Sequence, residues 1–264
     1  MSRCKSDLLD PDKIKANLKT TRIGRKILVY NSTTSTNDIA GQYANNKDND
    51  GLVIFTEEQT AGRGRTGNKW YSDRSDSIIC SILLTTNKLK TELLSLTCAV
   101  AAAEAIGKPG KNPARIKWPN DIILNDKKVA GILLETKTNN KNDVCIIGIG
   151  INCHQNTESF PPELWSAATS IDIESGLIID RISLAKRLLS SLDHWLEAAE
   201  NDYEKVIDQW KSLSIQLGHR LALIFNGRKF TGNCIGIDPV KGMILQLDTG
   251  GVRMFDAAHT TIAK

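Results

Sequence analysis

Aromatic residues are scarce in this chain, 5% of 264, and its charge is nearly balanced, with 34 Lys and Arg against 30 Asp and Glu for a net +4. So few rings leave little for bases to stack on, which argues against an RNA-binding surface. A charge this small names no polyanionic partner. No apolar run approaches the ~20 residues of a membrane span. The best candidates, Ser77–Thr85 and Leu93–Ile106, are short or interrupted. Met1 to Lys26 is studded with Lys, Arg and Asp and lacks the apolar core of a secretory signal. The six cysteines, Cys4, Cys80, Cys98, Cys145, Cys153 and Cys234, never fall into CxxC spacing, and the histidines at 154, 194, 219 and 259 are scattered. No zinc constellation is visible. Most of the cysteines lie inside apolar segments, as small buried hydrophobes do, which points to a reduced, cytoplasmic setting.

What is present is ordinary globular material, 41% hydrophobic and 24% charged. The length allows one large domain or one large plus one small, with no need of disulfide or metal staples. After a polar lead-in with a short helix around Asp12–Leu18, strands are predicted at Lys26–Tyr30, Leu52–Thr56, Ser77–Thr85, Arg115–Trp118, Ile122–Leu124, Lys128–Glu135 and Val144–Ile151. Helices are predicted at Asp38–Ala44, at Leu93–Ile106 with Gly107, Pro109 and Gly110 as its stop, and at Tyr203–Leu213. Another at Asp180–Glu200 carries apolar residues at 184, 188, 192, 195 and 196, one stripe of a helix. Beyond Gly218 come short strands, Leu221–Phe225, Phe230–Ile237, Met243–Leu247 and Val252–Phe255, punctuated by Asn226-Gly227, Asp238-Pro239 and Thr249-Gly250-Gly251. This is the texture of a small β-barrel. The expected division is a lead-in at 1–25, a mixed α/β body at 26–217 and the barrel at 218–264.

Four segments carry more functional groups than turns and strands require. Gly62-Arg63-Gly64-Arg65-Thr66-Gly67 satisfies GxGxxG after a strand. No helix opens at Lys69-Trp70-Tyr71-Ser72-Asp73, however, and two arginines crowd the turn, so a dinucleotide fingerprint fails. A Walker A loop fails too, since Asn68-Lys69-Trp70 follows in place of Lys-Ser/Thr. What is left is a loop of three cations, Arg63, Arg65 and Lys69, whose glycines free backbone amides to face an anion. A solvated basic turn accounts for it equally well. Lys117-Trp118-Pro119-Asn120-Asp121 packs a cation, an amide and a carboxylate between two strands. Turn chemistry explains Pro119 to Asp121 but not Lys117 and Trp118. Lys128-Val129-Ala130-Gly131-Ile132-Leu133 sets one cation at the mouth of an apolar strand, where a snorkelling lysine is also at home. Gly148-Ile149-Gly150-Ile151-Asn152 is a glycine-bearing strand, which marks close approach of a ligand or another backbone, or a bulge.

Taken in order, with Ser35-Thr36-Asn37 and Gln59 among them, these blocks resemble the biotin–protein ligases over about residues 26–264. The resemblance implies a catalytic domain like that of class II aminoacyl-tRNA synthetases, with a mixed sheet, and a C-terminal SH3-like barrel. It implies a two-step reaction. Biotin and ATP give biotinyl-5′-AMP and pyrophosphate, and a lysine of a biotin carboxyl carrier protein, of the acetyl-CoA carboxylase type, then takes the biotin. A carboxylate attacking an α-phosphate brings anions together and expels another, so the site needs fixed cations and Mg2+ more than a protein nucleophile. Arg63, Arg65, Lys69 and Lys117 are the natural supply.

By the same resemblance, Ser35, Thr36, Asn37 and Gln59 meet the ureido end of biotin, and Arg63, Gly64, Arg65 and Lys128 take its carboxylate end. Gly131, Ile132, Leu133 and Gly148 wall its rings. Arg65, Lys69, Trp70, Lys117, Asn120, Lys128 and Asn152 form the ATP and adenylate set, with Asn120 and Asn152 facing the adenine and Asp121 placed for Mg2+. The loops at 60–69 and 153–162 are expected to close over the mixed anhydride, which hydrolyses when exposed. Relatives that repress biotin synthesis carry an N-terminal helix-turn-helix. Some 25 residues precede the first strand here, too few for that module, so DNA binding is not expected. A homodimer through the edge of the catalytic sheet follows by analogy. Asn68 stands where relatives are often basic, and the tail Asp256–Lys264 matches poorly and is given no site. Lipoate ligase or octanoyltransferase, which shares the fold, is the enzymatic alternative. A basic-loop RNA-binding protein or a degenerate biotin binder is the non-enzymatic one.

Overall fold

The structure is a computed structural model and describes residues 7–107, 113–139 and 142–263. Cys4, Pro109, Gly110 and the start of the lead-in lie outside the described residues. Short apolar runs flanked by turn residues become seven strands: β1 (Ile27–Tyr30), β2 (Val53–Thr56), β3 (Ser77–Leu84), β4 (Arg115–Lys117), β5 (Asp121–Leu124), β6 (Lys127–Asn139) and β7 (Asn142–Asn152). They share one sheet in the order β1-β2-β3-β7-β6-β5-β4. β1 and β2 run parallel and every other neighbouring pair antiparallel, giving the mixed sheet that was expected. β6 runs past the predicted Glu135 because Thr136 and Lys137, polar and exposed, extend the arm of a hairpin into solvent.

The helices are α1 (Pro11–Lys15), α2 (Thr36–Gln42), α3 (Thr91–Ile106), α4 (Ile171–Ser175), α5 (Arg181–Asn201) and α6 (Tyr203–Leu213). Strand β3 is buried at every position, which requires a layer on each face. Ile78, Cys80, Ile82 and Leu84 join the core that holds α3 and α5, while Leu83 packs with Ala40 of α2 on the other side. α3 is apolar all round, from Leu93 through Val100 to Ile106, and lies inside that core. The predicted stripe of α5, Leu184, Leu188, Leu192, Trp195 and Leu196, is buried as a unit, and Asp180 caps the helix through the Ile182 amide at 3.0 Å.

A separate antiparallel sheet follows: β8 (Arg220–Phe225), β9 (Arg228–Asp238), β10 (Gly242–Leu247), β11 (Val252–Phe255) and β12 (Thr260–Ile262), in the order β11-β10-β9-β8-β12. Its inner face buries Leu223, Cys234, Met243, Leu245 and Phe255. β12 is absent from the sequence reading. It is three residues long and gains its order by pairing with β8, Thr261 beside Ile224. Cys80, Cys98, Cys145, Cys153 and Cys234 are free and buried, as expected. Among the described residues no helix is long and apolar enough to cross a membrane.

A buried charge network fastens the lead-in to the body. Arg181, 0% exposed, donates to Asp7 at 3.0 Å, to Glu57 at 2.9 Å and to the Ser77 carbonyl at 3.0 Å. His154 lies between two carboxylates, Nδ1 2.7 Å from Asp172 and Nε2 2.7 Å from Asp7. Only an imidazolium donates from both nitrogens. Burial opposes that charge, but the hydrogen bonds to Asp7 and Asp172 outweigh it and raise the His154 pKa. Asp7 moves the other way. Burial again opposes its charge, and hydrogen bonds from His154 and Arg181 bring its carboxyl down from 3.8 to about 2.

The folded imidazole therefore contributes stability in full below the ordinary histidine range, and that contribution is lost as pH rises through the raised value. The Asp7 share is present above 3.8 and lost as pH falls towards about 2. We expect H154F to lower Tm most between about pH 4 and about pH 6.5, with the gap narrowing at higher pH. Thermal unfolding followed by circular dichroism across that range checks it, and a gap that does not vary with pH contradicts an ionic latch.

Candidate active site

Successive residues of a strand point to opposite faces, so Gly148 and Gly150 of β7 clear the same face of the sheet. In register, Gly150 lies beside Gly131 of β6 and Ile79 of β3, and Gly148 lies beside Leu133 and Ser81. The indole of Trp70 occupies the cleared ground. A Cβ on Gly150 would sit 2.5 Å from that ring, one on Gly131 3.1 Å from it, and one on Gly148 2.6 Å from Asn37 Oδ1. These glycines therefore answer the approach of two side chains, not a bulge.

Above this floor is a cavity of about 380 Å³. Its walls are Ser35, Thr36 and Asn37 at the start of α2, then Gln59, Arg63, Gly64, Arg65, Lys69 and Trp70 of the glycine–arginine loop. Lys117, Asn120, Asp121, Lys128, Gly131, Ile132, Leu133 and Gly148 complete the predicted set. Asn152 is the exception. It is 4% exposed, outside the lining, and its Nδ2 donates to the Thr169 carbonyl at 2.9 Å while its Oδ1 accepts from Gln155 at 3.3 Å. The segment after β7 takes up its amide, so the structure does not bring it to the cavity.

The end nearest α2 is polar and closed. The Thr36 amide and hydroxyl reach Gln59 Oε1 at 2.8 and 3.1 Å, and Ser81 donates to Asn37 Oδ1 at 2.5 Å. Asn37 is 3% exposed, and its Nδ2 has no partner among the described residues; nor has Trp70 Nε1. A buried donor left without an acceptor costs about 1–3 kcal/mol, so this end is built to receive one.

Cations line the mouth of the cavity, and they differ. Arg63 is gripped by Asp38 at 2.7 and 2.9 Å and by Glu135 at 3.3 Å, which raises its pKa. Lys128 pairs with Asp121 at 2.5 Å and lies 5.9 Å from the Trp70 ring. Among the described residues Arg65 hydrogen-bonds to neutral acceptors, Asn120 Oδ1 and the Thr260 carbonyl at 3.3 Å each, and the Ala257 carbonyl, while Asp121 and Glu92 act on it through their charge alone. Burial lowers its pKa, yet a guanidinium keeps its proton. Cys80 also borders the cavity, but burial pushes its thiol up to about 12, so it is no nucleophile near neutral pH. The described residues hold no cluster of three or more metal-ligating side chains.

Sequence reasoning missed the tail. Thr261 and Ile262 of β12 line the cavity, and the carbonyls of Ala257 and Thr260 hold Arg65. The one signal available was the β-branched run Thr260-Thr261-Ile262, short enough to pass for a frayed end.

Comparison with known proteins places this geometry. Residues 29–152 match the model of the biotin/lipoate A/B protein ligase family. The bifunctional ligase/repressor BirA of Bacillus subtilis is 32% identical over 254 residues, 94% of this chain and 78% of that protein. This chain belongs to the biotin/lipoate A/B protein ligase family. Within it, the biotin--[acetyl-CoA-carboxylase] ligase of Mycobacterium tuberculosis is 30% identical over 259 residues, 93% of each chain. Among solved structures, a biotin protein ligase from Aquifex aeolicus in complex with biotin and ATP shares the fold, with a TM-score of 0.77 at 24% identity over 91% of this chain and 99% of that one.

For this member of the family the floor is directly testable. Gly148→Ala and Gly150→Ala should each cost about 1–3 kcal/mol, since Asn37 or the Trp70 ring has to shift. Gly236→Ala, whose Cβ would meet only Ile244 Cδ1 at 3.7 Å, should be neutral or stabilising. Urea denaturation compares the three, and equal costs would contradict the steric account.

Proposed function

We propose that the cavity performs the two steps of biotin–protein ligation: ATP-dependent formation of biotinyl-5′-AMP with release of pyrophosphate, then transfer of biotin to a lysine of a biotin carboxyl carrier protein. The observation that carries this reading is the partnerless amide of Asn37 at the buried end of the cavity. A ureido carbonyl supplies the acceptor it lacks, and the fused rings lie against the floor of Gly131 and Gly148 beside Trp70. Ser35, Thr36 and Gln59 hold Asn37 and its surroundings in place. The valeryl carboxylate then points to the cationic end, where it attacks the α-phosphate of ATP and expels pyrophosphate. Arg65, Lys69, Lys117 and Lys128 face the charge that develops there, and Asn120, whose amide holds the Ile132 carbonyl and Arg65, borders the nucleotide base.

Mg2+ enters with ATP as the substrate complex. It binds through phosphates, waters and one or two carboxylates, so a dedicated protein cage is not required. Asp121, paired with Lys128, is the carboxylate suited to it. In the second step the acceptor amine attacks the acyl carbon of the adenylate, an amide forms and AMP leaves. The catalytic body at 26–217, the barrel at 218–264, a cytoplasmic setting and a homodimer through a sheet edge complete the reading. The outer edge of β1 is the surface for the last of these, since Ser214 and Ile215 already meet the outer edge of β4 at Ile116.

A lipoate or octanoate enzyme is the competing reading. Neither the dithiolane nor the alkyl chain offers Asn37 an acceptor, and a site with an unpaired buried donor rejects the analogue that lacks the match. Biotin-dependent exchange of labelled pyrophosphate into ATP, run beside lipoate and octanoate, decides between them. Exchange with biotin alone is expected, and exchange with lipoate alone overturns the reading. Asn37→Ala should weaken biotin binding by about 5- to 150-fold in calorimetry. Arg65→Gly should raise release of free biotinyl-AMP, measured by chromatography, if the 60–69 loop sequesters the intermediate.

A further inference from the structure

Residues 256–262 run from the second sheet to the mouth of the cavity, and at Ala257 a single residue makes two contacts. Its N–H donates to Glu92 Oε1 at 2.7 Å, and its carbonyl accepts from Arg65 Nη2. Glu92 stands in the first turn of α3, whose following residues are buried almost without interruption, so it is mounted on the rigid centre of the body. Its second oxygen, Oε2, is buried with no partner among the described residues. A carboxylate half-removed from water and given one hydrogen bond is a costly way to hold one peptide. Nothing in the packing of α3 calls for it.

The acceptors around Arg65 give the arrangement its sense. Carbonyl and amide dipoles fix the direction of the Arg65 guanidinium, and Asp121 and Glu92 act on it through their charge without bonding to it, whereas Arg63 is bonded directly to Asp38 and Glu135. A preorganised cation with no carboxylate bonded to it is what a developing phosphate charge requires. We propose that Glu92 is a positioning residue for adenylation: it fixes the Ala257 peptide, and the carbonyl of that residue aims Arg65 at the anionic end of the cavity. The inference rests on the phosphate-facing role given to Arg65 above.

The test is biotin-dependent pyrophosphate exchange by the full chain at varied ATP, with E92A, E92Q, R65A and the E92A/R65A double variant. E92A should lose about 10- to 30-fold in kcat/KM for ATP, with biotin affinity by calorimetry within about twofold of the parent. E92Q keeps an oxygen for the Ala257 amide and should recover to within about threefold. On the R65A background E92A should add less than about twofold, because both changes act on one contact. Multiplying effects in the double variant, or an E92A within about twofold of the parent beside an impaired R65A, overturns the proposal and leaves the Arg65 reading standing. An unimpaired R65A overturns that reading itself. Should E92A fail to fold, E92D keeps the charge but withdraws the oxygen by one methylene. It must then fall below E92Q, and the reverse order overturns the proposal.

Discussion

Other side chains can come down close to the middle of a β-sheet only where the strand face there is bare. Gly131, Gly148 and Gly150 provide that bare patch, two of them on β7, with Gly150 in register with Gly131. Much else in the fold is arranged around it. Trp70 settles on the patch and so draws in the end of the glycine–arginine loop, and Asn37 comes down over Gly148 and so docks the first turn of α2. Ser81, directly across from Gly148, turns a hydroxyl to that asparagine. A single methyl group at either position of β7 would compete with all of this.

The electrostatic design is uneven by construction. Two cations at the open end, Arg63 and Lys128, are matched by carboxylates and so remain tolerable before any anion arrives. Arg65 hydrogen-bonds to dipoles, with Asp121 and Glu92 acting on it through their charge alone, and those dipoles belong largely to a segment far away in sequence. The C-terminal sheet thereby becomes part of the cavity built on the first sheet. Its last strand contributes wall, through Thr261 and Ile262, and its preceding turn contributes the acceptors for the guanidinium.

The sequence was legible wherever local pattern and chemistry agreed. The buried strand at 77–84, the helical stripe of α5 and the hairpin strands around Asn226-Gly227 follow from periodicity and turn residues. The cavity set was legible for another reason, since five collinear blocks carried a family resemblance that no single block did. Asn152 shows the limit of that transfer. Its place at the end of β7 is as anticipated, but the chain that follows folds back and takes its amide. The tail marks the other limit. Three residues have no periodicity to read, and the role of Ala257 lies in backbone groups that every residue type possesses.

The hairpin of β6 and β7 carries all three floor glycines and Lys128, and its strands are neighbours along the chain. Its walls are not. The polar end comes from residues 35–37 and 59, the loop from 63–70 and the last wall from 261–262. Loop-closure entropy grows with separation, so the floor is the inexpensive part of the assembly and the walls the slow part. A folding intermediate that holds only the central hairpin owns a smooth apolar surface with nothing above it. Until the distant segments arrive, that surface is a place for another chain to stick, and the same bareness that seats Trp70 and Asn37 is an aggregation hazard in the half-folded protein.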